Sequence, residues 1–430
     1  MSNAESPTGA MHGINPTRLF AASCIALIAT AMTFAVRGNI MSLLGIEFHL
    51  NDEHVGAIAG IAFLGFTISI VIGGQVCDAI GMGRLLTMAF IAHISGIALT
   101  IFATGYWTLW TGTLLIGMGN GLIESAVNPL IATIYSSDKT HRLNRMHAWF
   151  PGGIAIGGVA AFLITKSAQA MHLSDHLSWQ VQTGVIVIPV VIYGLMFLGQ
   201  SYPPTERVQS KVSTGDMYRE VLRPLFILWV FCMLLTSSTE LANEQWLPTI
   251  LQKTANASSI LVLVWINTVM LFGRSLAGPV VHKLSPTGLL IASATFSMLG
   301  LVALSFASSP ATAFGAATIF AVGVCYFWPT MLGVTSERFP KGGSLLLGMM
   351  GAAGMLSVNI VLPVMGKFLD LKNSDPTIIF RYMAALPAIL IVIFALIYLS
   401  DKAKGGYKPE ELELNRPETT QSTAAEPNAV

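Results

Sequence analysis

Twelve long, predominantly apolar runs follow one another along this 430-residue chain, separated by short polar breaks. They cover 19–44, 55–77, 85–104, 107–135, 145–167 and 180–202, then 223–250, 258–281, 287–307, 310–336, 344–369 and 377–400. An α-helix rises 1.5 Å per residue, so about 20 apolar residues cross a lipid hydrocarbon core of about 30 Å. None of the runs shows the ten-residue alternation of a membrane barrel strand. Only 10% of residues are charged against 53% hydrophobic, whereas soluble domains carry about 25% charged residues. That is too little polar side chain to coat a water-soluble globule, so most of the apolar surface must face lipid. Leu19–Leu44 is too long for a cleaved signal core and is expected to be retained as the first span.

The number of crossings is tested by the cations. Of the 23 Lys and Arg, only Lys166, Lys253, Lys367, Lys372 and Arg381 fall on one side of the alternating array. Arg37 and Arg274 fall within spans, and all the others lie on the side that holds both chain ends. Positive residues stay cytoplasmic, so both ends are expected there, in the inner membrane. The organisation expected is a tail at 1–18, a six-helix bundle at 19–202, a cytoplasmic linker at 203–222, a second bundle at 223–400 and a disordered tail at 401–430. The net charge of +1 offers no electrostatic case for nucleic acid. Cys24, Cys77, Cys232 and Cys325 are scattered through apolar runs without metal-ligand spacing, so no metal and no disulfide framework is expected.

The two halves echo each other. Gly74-Gln-Val-Cys-Asp78-Ala-Ile between spans 2 and 3 resembles Gly278-Pro-Val-Val-His-Lys-Leu between spans 8 and 9. Asn128-Pro129 in span 4 matches Trp328-Pro329 in span 10. The glycines 152, 153, 157 and 158 of span 5 match Gly348, Gly351 and Gly354 of span 11, a spacing that lets helices approach closely in lipid. With Leu85-Leu86 and Leu289-Leu290, which follow the first two segments at the same offset, four matches in one order point to a duplicated interior.

The segment Gly74-x-x-x-Asp78-x-x-Gly81-x-Gly83-Arg84 resembles the loop signature of the major facilitator superfamily. The resemblance implies an all-α membrane protein of twelve helices in two pseudo-symmetric six-helix bundles. It also implies that Gly74, Asp78, Gly81 and Arg84 latch the halves together at a cytoplasmic gate. Gly117-Met-Gly-Asn120-Gly-Leu-Ile-Glu124-Ser-Ala-Val-Asn128-Pro129, with His147-Ala-Trp149-Phe150-Pro151 beyond it, is similar to the fucose–galactose–glucose:proton symporter branch. That branch carries a carboxylate in span 4, matched by Glu124, and usually an aspartate in span 1, where this chain has Arg37-Gly38-Asn39 instead. The resemblance implies a secondary transporter of a small polar solute, most simply a sugar, with a proton as coupling ion and no bound cofactor.

Ionisable groups inside a bilayer are costly and need a reason. Glu124 is read as a proton carrier or as half of a permanent pair with an arginine. Arg37 either binds an anionic group of the substrate or pairs with Glu240 or Glu244 of span 7. Ser237, Ser238, Thr239, Asn243 and Gln245 surround those glutamates and make that stretch of span 7 unusually polar, as a cavity wall would be. Trp246 and Trp328, like Trp149 and Trp265, offer ring faces to a sugar or simply pack. Arg274 is placed nearer the cytoplasmic end, in a gating or snorkelling role, and His147 near the cytoplasmic surface. Asn39, Asn120, Asn128, Asn267 and Asn359 are candidate hydroxyl ligands, Asn128 and Asn359 foremost. No Walker loop, H-E-x-x-H or G-x-S-x-G is present, so neither ATP-driven transport nor hydrolysis has an engine here. Two alternatives stay open: an organic-anion or sugar-acid carrier that uses Arg37, and a non-transporting membrane receptor. The partners expected are a small-molecule substrate and the lipid bilayer, with the protein a monomer.

Overall fold

The computed structural model describes residues 13–257, 259–369 and 375–412. Among them all regular structure is helical. Eleven helices are long and apolar enough to cross a membrane, and the shorter apolar stretch Leu261–Ser275 supplies the eighth crossing. We number the crossings α1 (Pro16–Glu47), α2 (Asp52–Ile80), α3 (Met82–Ile101), α4 (Tyr106–Ile134), α5 (Lys139–Ala170) and α6 (Asp175–Phe197) in the first half. The second half holds α7 (Pro224–Leu247), α8 (Ser259–Ser275), α9 (Lys283–Leu304), α10 (Pro310–Arg338), α11 (Gly343–Leu369) and α12 (Ile378–Ala403). An even number of crossings returns the chain to its starting side, called here the terminal side.

Local chemistry sets the helix ends. Asn15 caps α1 by accepting from the Arg18 N–H, with Pro16 in the first turn, where a missing N–H costs nothing. Ser309 and Pro310 do the same for α10. The chain reverses between α2 and α3 at Gly81, whose φ of 86° is open to glycine but strained for other residues. Within helices the apolar residues occupy opposed faces. On α3, Leu85, Ala89 and Ile97 are buried while Met88, Ile91 and Leu99 are exposed. A helix apolar on both sides is stable only where its outer face meets lipid.

The duplication is visible in packing. Helices α1 and α5 pair in the first half as α7 and α11 do in the second, α2 and α4 as α8 and α10, and α3 and α6 as α9 and α12. Across the halves α2 packs on α11 and α5 on α8. The repeated glycines make this possible. A Cβ on Gly74 would lie 2.8 Å from the Ser344 carbonyl oxygen of α11, and one on Gly278 2.8 Å from His141 Nε2 at the start of α5.

On the terminal side the halves are latched. Asp78 accepts from Arg207 Nε at 2.6 Å and from Thr205 Oγ1 at 2.6 Å, both on the linker. Ser344 Oγ donates to the Gly74 carbonyl at 2.8 Å. Lys139 Nζ reaches Glu206 Oε2 at 2.6 Å and the Ser336 carbonyl at 3.3 Å. Glu337 Oε1 accepts from the backbone N–H and hydroxyl of Thr140 across the interface. The cation of the latch is therefore Arg207, a linker residue. Arg84, expected in that role, is exposed and among the described residues reaches only the Ile80 carbonyl of its own chain segment at 3.4 Å.

The expectation of disorder from Asp401 onward does not hold for residues 401–412; residues 413–430 lie outside the described set. Asp401 pairs with Arg338, the Tyr407 hydroxyl donates to Glu337 Oε2 at 2.5 Å, and Glu410 receives Arg223 at 2.8 Å. Three charged partners compensate for a segment poor in apolar residues. Tyr407 and Thr140 thus share the Glu337 carboxylate, which couples this strap to the latch.

Two outcomes are expected. Breaking a buried ion pair costs about 3–5 kcal/mol, and 1.4 kcal/mol is a factor of ten. Arg207→Ala should therefore raise alkylation of the buried native Cys77, in a variant lacking the other cysteines, by about tenfold or more. An unchanged rate would show that Asp78–Arg207 does not hold the terminal side shut. Tyr407→Phe removes one hydrogen bond to a carboxylate, worth about 1.5–3 kcal/mol, and should raise the same rate by a smaller factor.

Candidate functional site

Where the halves meet near mid-depth, Glu124, His147, Phe150, Glu240, Leu241, Arg274, Trp328 and Met355 line a nearly closed cavity of about 20 Å³, room for about one water molecule. The first half contributes a chain of three side chains. Asn128 Nδ2 donates to Glu124 Oε2 at 2.7 Å, one helical turn away on α4. Asn128 Oδ1 accepts from His147 Nε2 at 2.8 Å, and His147 Nε2 lies 4.0 Å from Glu124 Oε2. These contacts put a proton on His147 Nε2. Close packing carries α4 there. A Cβ on Gly117 would lie 2.2 Å from the Ala62 carbonyl oxygen of α2, and one on Gly121 2.1 Å from Ser69 Oγ.

The second half contributes an arginine whose bonds follow from two prolines. Proline has no N–H, so it leaves the carbonyl four residues earlier in its helix without a partner. Pro329 frees the Cys325 carbonyl, which accepts from Arg274 Nε at 2.5 Å. Pro151 frees the His147 carbonyl of the other half, which accepts from Arg274 Nη1 at 3.2 Å. Arg274 Nη2 donates to Glu240 Oε1 at 2.7 Å. The guanidinium is 2% exposed and ties α7, α8, α10 and α5 together. A snorkelling arginine keeps its head in water; this one does not, so that reading of Arg274 is corrected. The break of α8 at Leu276 sets Arg274 deeper than run length alone implied. His147, expected near the surface, is 1% exposed and central.

Around Glu240, α7 winds into a π-helical turn, Ser238–Ala242. Such a turn takes an extra residue per revolution and is frequent at functional sites. Glu240 in this turn and Glu244 just beyond it, four residues apart, lie on one helix face. Ser237 Oγ, Glu240 Oε2, Asn243 Oδ1, Glu244 Oε1 and Trp246 Nε1 are all buried here without hydrogen-bond partners. Buried polar atoms are otherwise almost always paired, so this wall of α7 is equipped to receive polar groups.

The other candidates separate clearly. Arg37 does not pair with Glu240 or Glu244. Its guanidinium lies over the rings of Phe34 at 4.9 Å and Phe63 at 5.5 Å, and Phe34 touches the cavity residue Phe150. Asn120 is spent within the first half: it donates to Thr33 Oγ1 at 2.9 Å and accepts from His93 Nε2 at 2.8 Å. His93 in turn meets the Tyr193 hydroxyl at 2.9 Å, so this network binds α1, α3, α4 and α6 into one body. Asn39 donates to Gln182 at 2.6 Å, and Asn267 to the Leu263 carbonyl of its own helix. Asn359 is exposed and outside the cavity lining, against the expectation that put it beside Asn128. Trp149 and Trp265 are exposed; Trp328 alone among the tryptophans lines the cavity, its ring seated against Gly354. Phe150, Leu241 and Met355 escaped the sequence reading because nothing distinguishes an apolar cavity wall from apolar packing. Among the described residues no cluster of His, Cys, Asp and Glu could hold a metal.

Comparisons with known proteins agree with this architecture. The chain is 25% identical to the Arabidopsis thaliana monosaccharide-sensing protein 1 over 202 residues, 46% of this chain and 26% of that one. It is 24% identical to the Candida albicans myo-inositol transporter 1 over 164 residues, 38% of this chain and 28% of that one. The matched part spans about a quarter of the length of these relatives. Among solved structures, FucP in its outward conformation superimposes with a TM-score of 0.73 at 19% identity, covering 88% of this chain and 98% of that one. The proton:xylose symporter XylE gives a TM-score of 0.73 at 15% identity, covering 89% and 95%. Residues 23–342 match the family described as Major Facilitator Superfamily. With a match over most of its length and the same twelve-helix arrangement, the chain belongs to the Major Facilitator Superfamily.

Proposed function

We propose that this protein carries a sugar or related polyol across the cytoplasmic membrane by alternating access, with a proton as the coupling ion. One observation carries the reading. A proton-accepting chain, Glu124–Asn128–His147, in one half faces an arginine anchored to the other half but bonded to both. Rocking the halves apart on the terminal side breaks the Arg274–His147 contact, so the protonation state of the first half and the position of the second are linked. Relatives and structural neighbours named for monosaccharide, myo-inositol, fucose and xylose favour a polyhydroxylated solute. Trp328 and Phe150 offer ring faces to its C–H groups. Glu240 Oε2, a cavity atom without a partner, offers a hydrogen bond to one of its hydroxyls. The excess of Lys and Arg on the terminal side makes that side cytoplasmic. The latch at Asp78 then closes the carrier inward, and the cavity loads from outside. Each copy holds a complete cavity in one chain, so it works as a monomer.

The test is uptake into proteoliposomes of radiolabelled fucose, xylose, glucose and myo-inositol, with their own unlabelled forms and with hexuronic acids as competitors. Neutral sugars should compete and the acids should not. Competition by the acids alone would transfer the assignment to an anion carrier reading its substrate through Arg37.

A further inference from the structure

The centre of the bundle carries more carboxyls than its cation can serve. Arg274 engages Glu240 at 2.7 Å. Glu124 accepts from Asn128, with His147 Nε2 4.0 Å away. Glu244, one turn from Glu240 toward the far side, is 5% exposed, and its Oε1 has no hydrogen-bond partner. No cation pairs with it among the described residues; the charged groups acting on it are Glu240, which repels its anion, and Arg274, which Glu240 already holds. One guanidinium neutralises one carboxylate. Two further negative charges buried together at this depth would go uncompensated, a cost membrane proteins avoid.

We propose that Glu244 is a second proton-carrying carboxyl, so that two protons, one on Glu124 and one on Glu244, enter with each substrate molecule. Each site binds H⁺ as a carboxylic acid when the cavity is open to the far side and releases it as a carboxylate when the cavity opens to the terminal side. Glu244 is placed for the first of these steps, since α7 runs from Pro224 on the terminal side outward. Four residues on, it lies on the same helix face as Glu240. As a protonated acid it also becomes a donor, and Asn243 Oδ1 and Glu240 Oε2 on the same stretch are buried acceptors without partners. The proposal rests on the proton-coupled reading above.

Two measurements test it. Infrared titration of the substrate-free protein in lipid vesicles reads the carbonyl band of protonated carboxyls. Near neutral pH exposed Asp and Glu are ionised, so two buried bands are expected. Glu124→Gln should remove one and Glu244→Gln the other, while Glu244→Asp should retain a band at a shifted position. A single band in the wild type overturns the proposal whether or not any variant folds. In proteoliposomes, protons taken up per labelled fucose, or per xylose if fucose is not carried, should be two for the wild type and one for Glu244→Gln. A wild-type ratio of one that Glu124→Gln abolishes removes Glu244 and leaves proton coupling standing. A ratio of zero removes the coupling, and this proposal with it.

Discussion

Glu124→Gln is expected to abolish accumulation of substrate against its gradient while leaving counterflow exchange in place. The glutamine keeps the shape of the side chain and can still bond Asn128, so the cavity and its closure survive. It cannot take up a proton, and without a change of charge at Glu124 the Arg274–His147 contact no longer follows the gradient, so a proton on Glu244 alone does not drive the cycle. A membrane potential contributes about 2.3 kcal/mol per charge per 100 mV, and at about 1.4 kcal/mol per decade one proton sustains a gradient of roughly fifty-fold. In proteoliposomes with an imposed potential and pH difference, the variant should equilibrate sugar without concentrating it. Accumulation at wild-type level would remove Glu124 from the coupling machinery.

Arg274→Met should be the most damaging single change to the folded protein. Glu240 would lose its cation, and the carbonyls of Cys325 and His147 would lose their donor, all in a site closed to water. Breaking one side of a buried ion pair costs about 3–5 kcal/mol, whereas replacing both sides with apolar groups is often nearly neutral. The apparent melting temperature in detergent should therefore fall markedly for Arg274→Met and recover for the double variant Arg274→Met/Glu240→Leu. Transport should be lost in both, because the second half would no longer hold the His147 carbonyl of the first. Recovery of transport along with stability would make the arginine a purely structural tie.

Run length, cation placement and the internal repeat were enough to read the twelve crossings and their division into halves. Each is a one-dimensional consequence of lipid: about 20 apolar residues must be spent per crossing, and charge must gather at the ends. The depth of Glu124 in α4 was legible for the same reason, since a carboxylate in the middle of an apolar run has nowhere else to be.

What the pattern could not supply was the pairing of polar groups across the bundle. Asn120 and Asn128 look alike along α4, yet they stand eight residues apart on a turning helix, and one meets His93 while the other meets Glu124 and His147. Arg84 sits in the recognisable motif, but the linker folds back so that Arg207 reaches Asp78. Arg274 reads as a residue near a helix end, whereas the break at Leu276 and the carbonyls freed by Pro151 and Pro329 fix it at the centre. Hydrophobic periodicity reports burial against lipid or protein without saying which neighbour is met. That choice belongs to the packing of the two halves, where hydrogen bonds left open inside a low-dielectric interior must each find a partner.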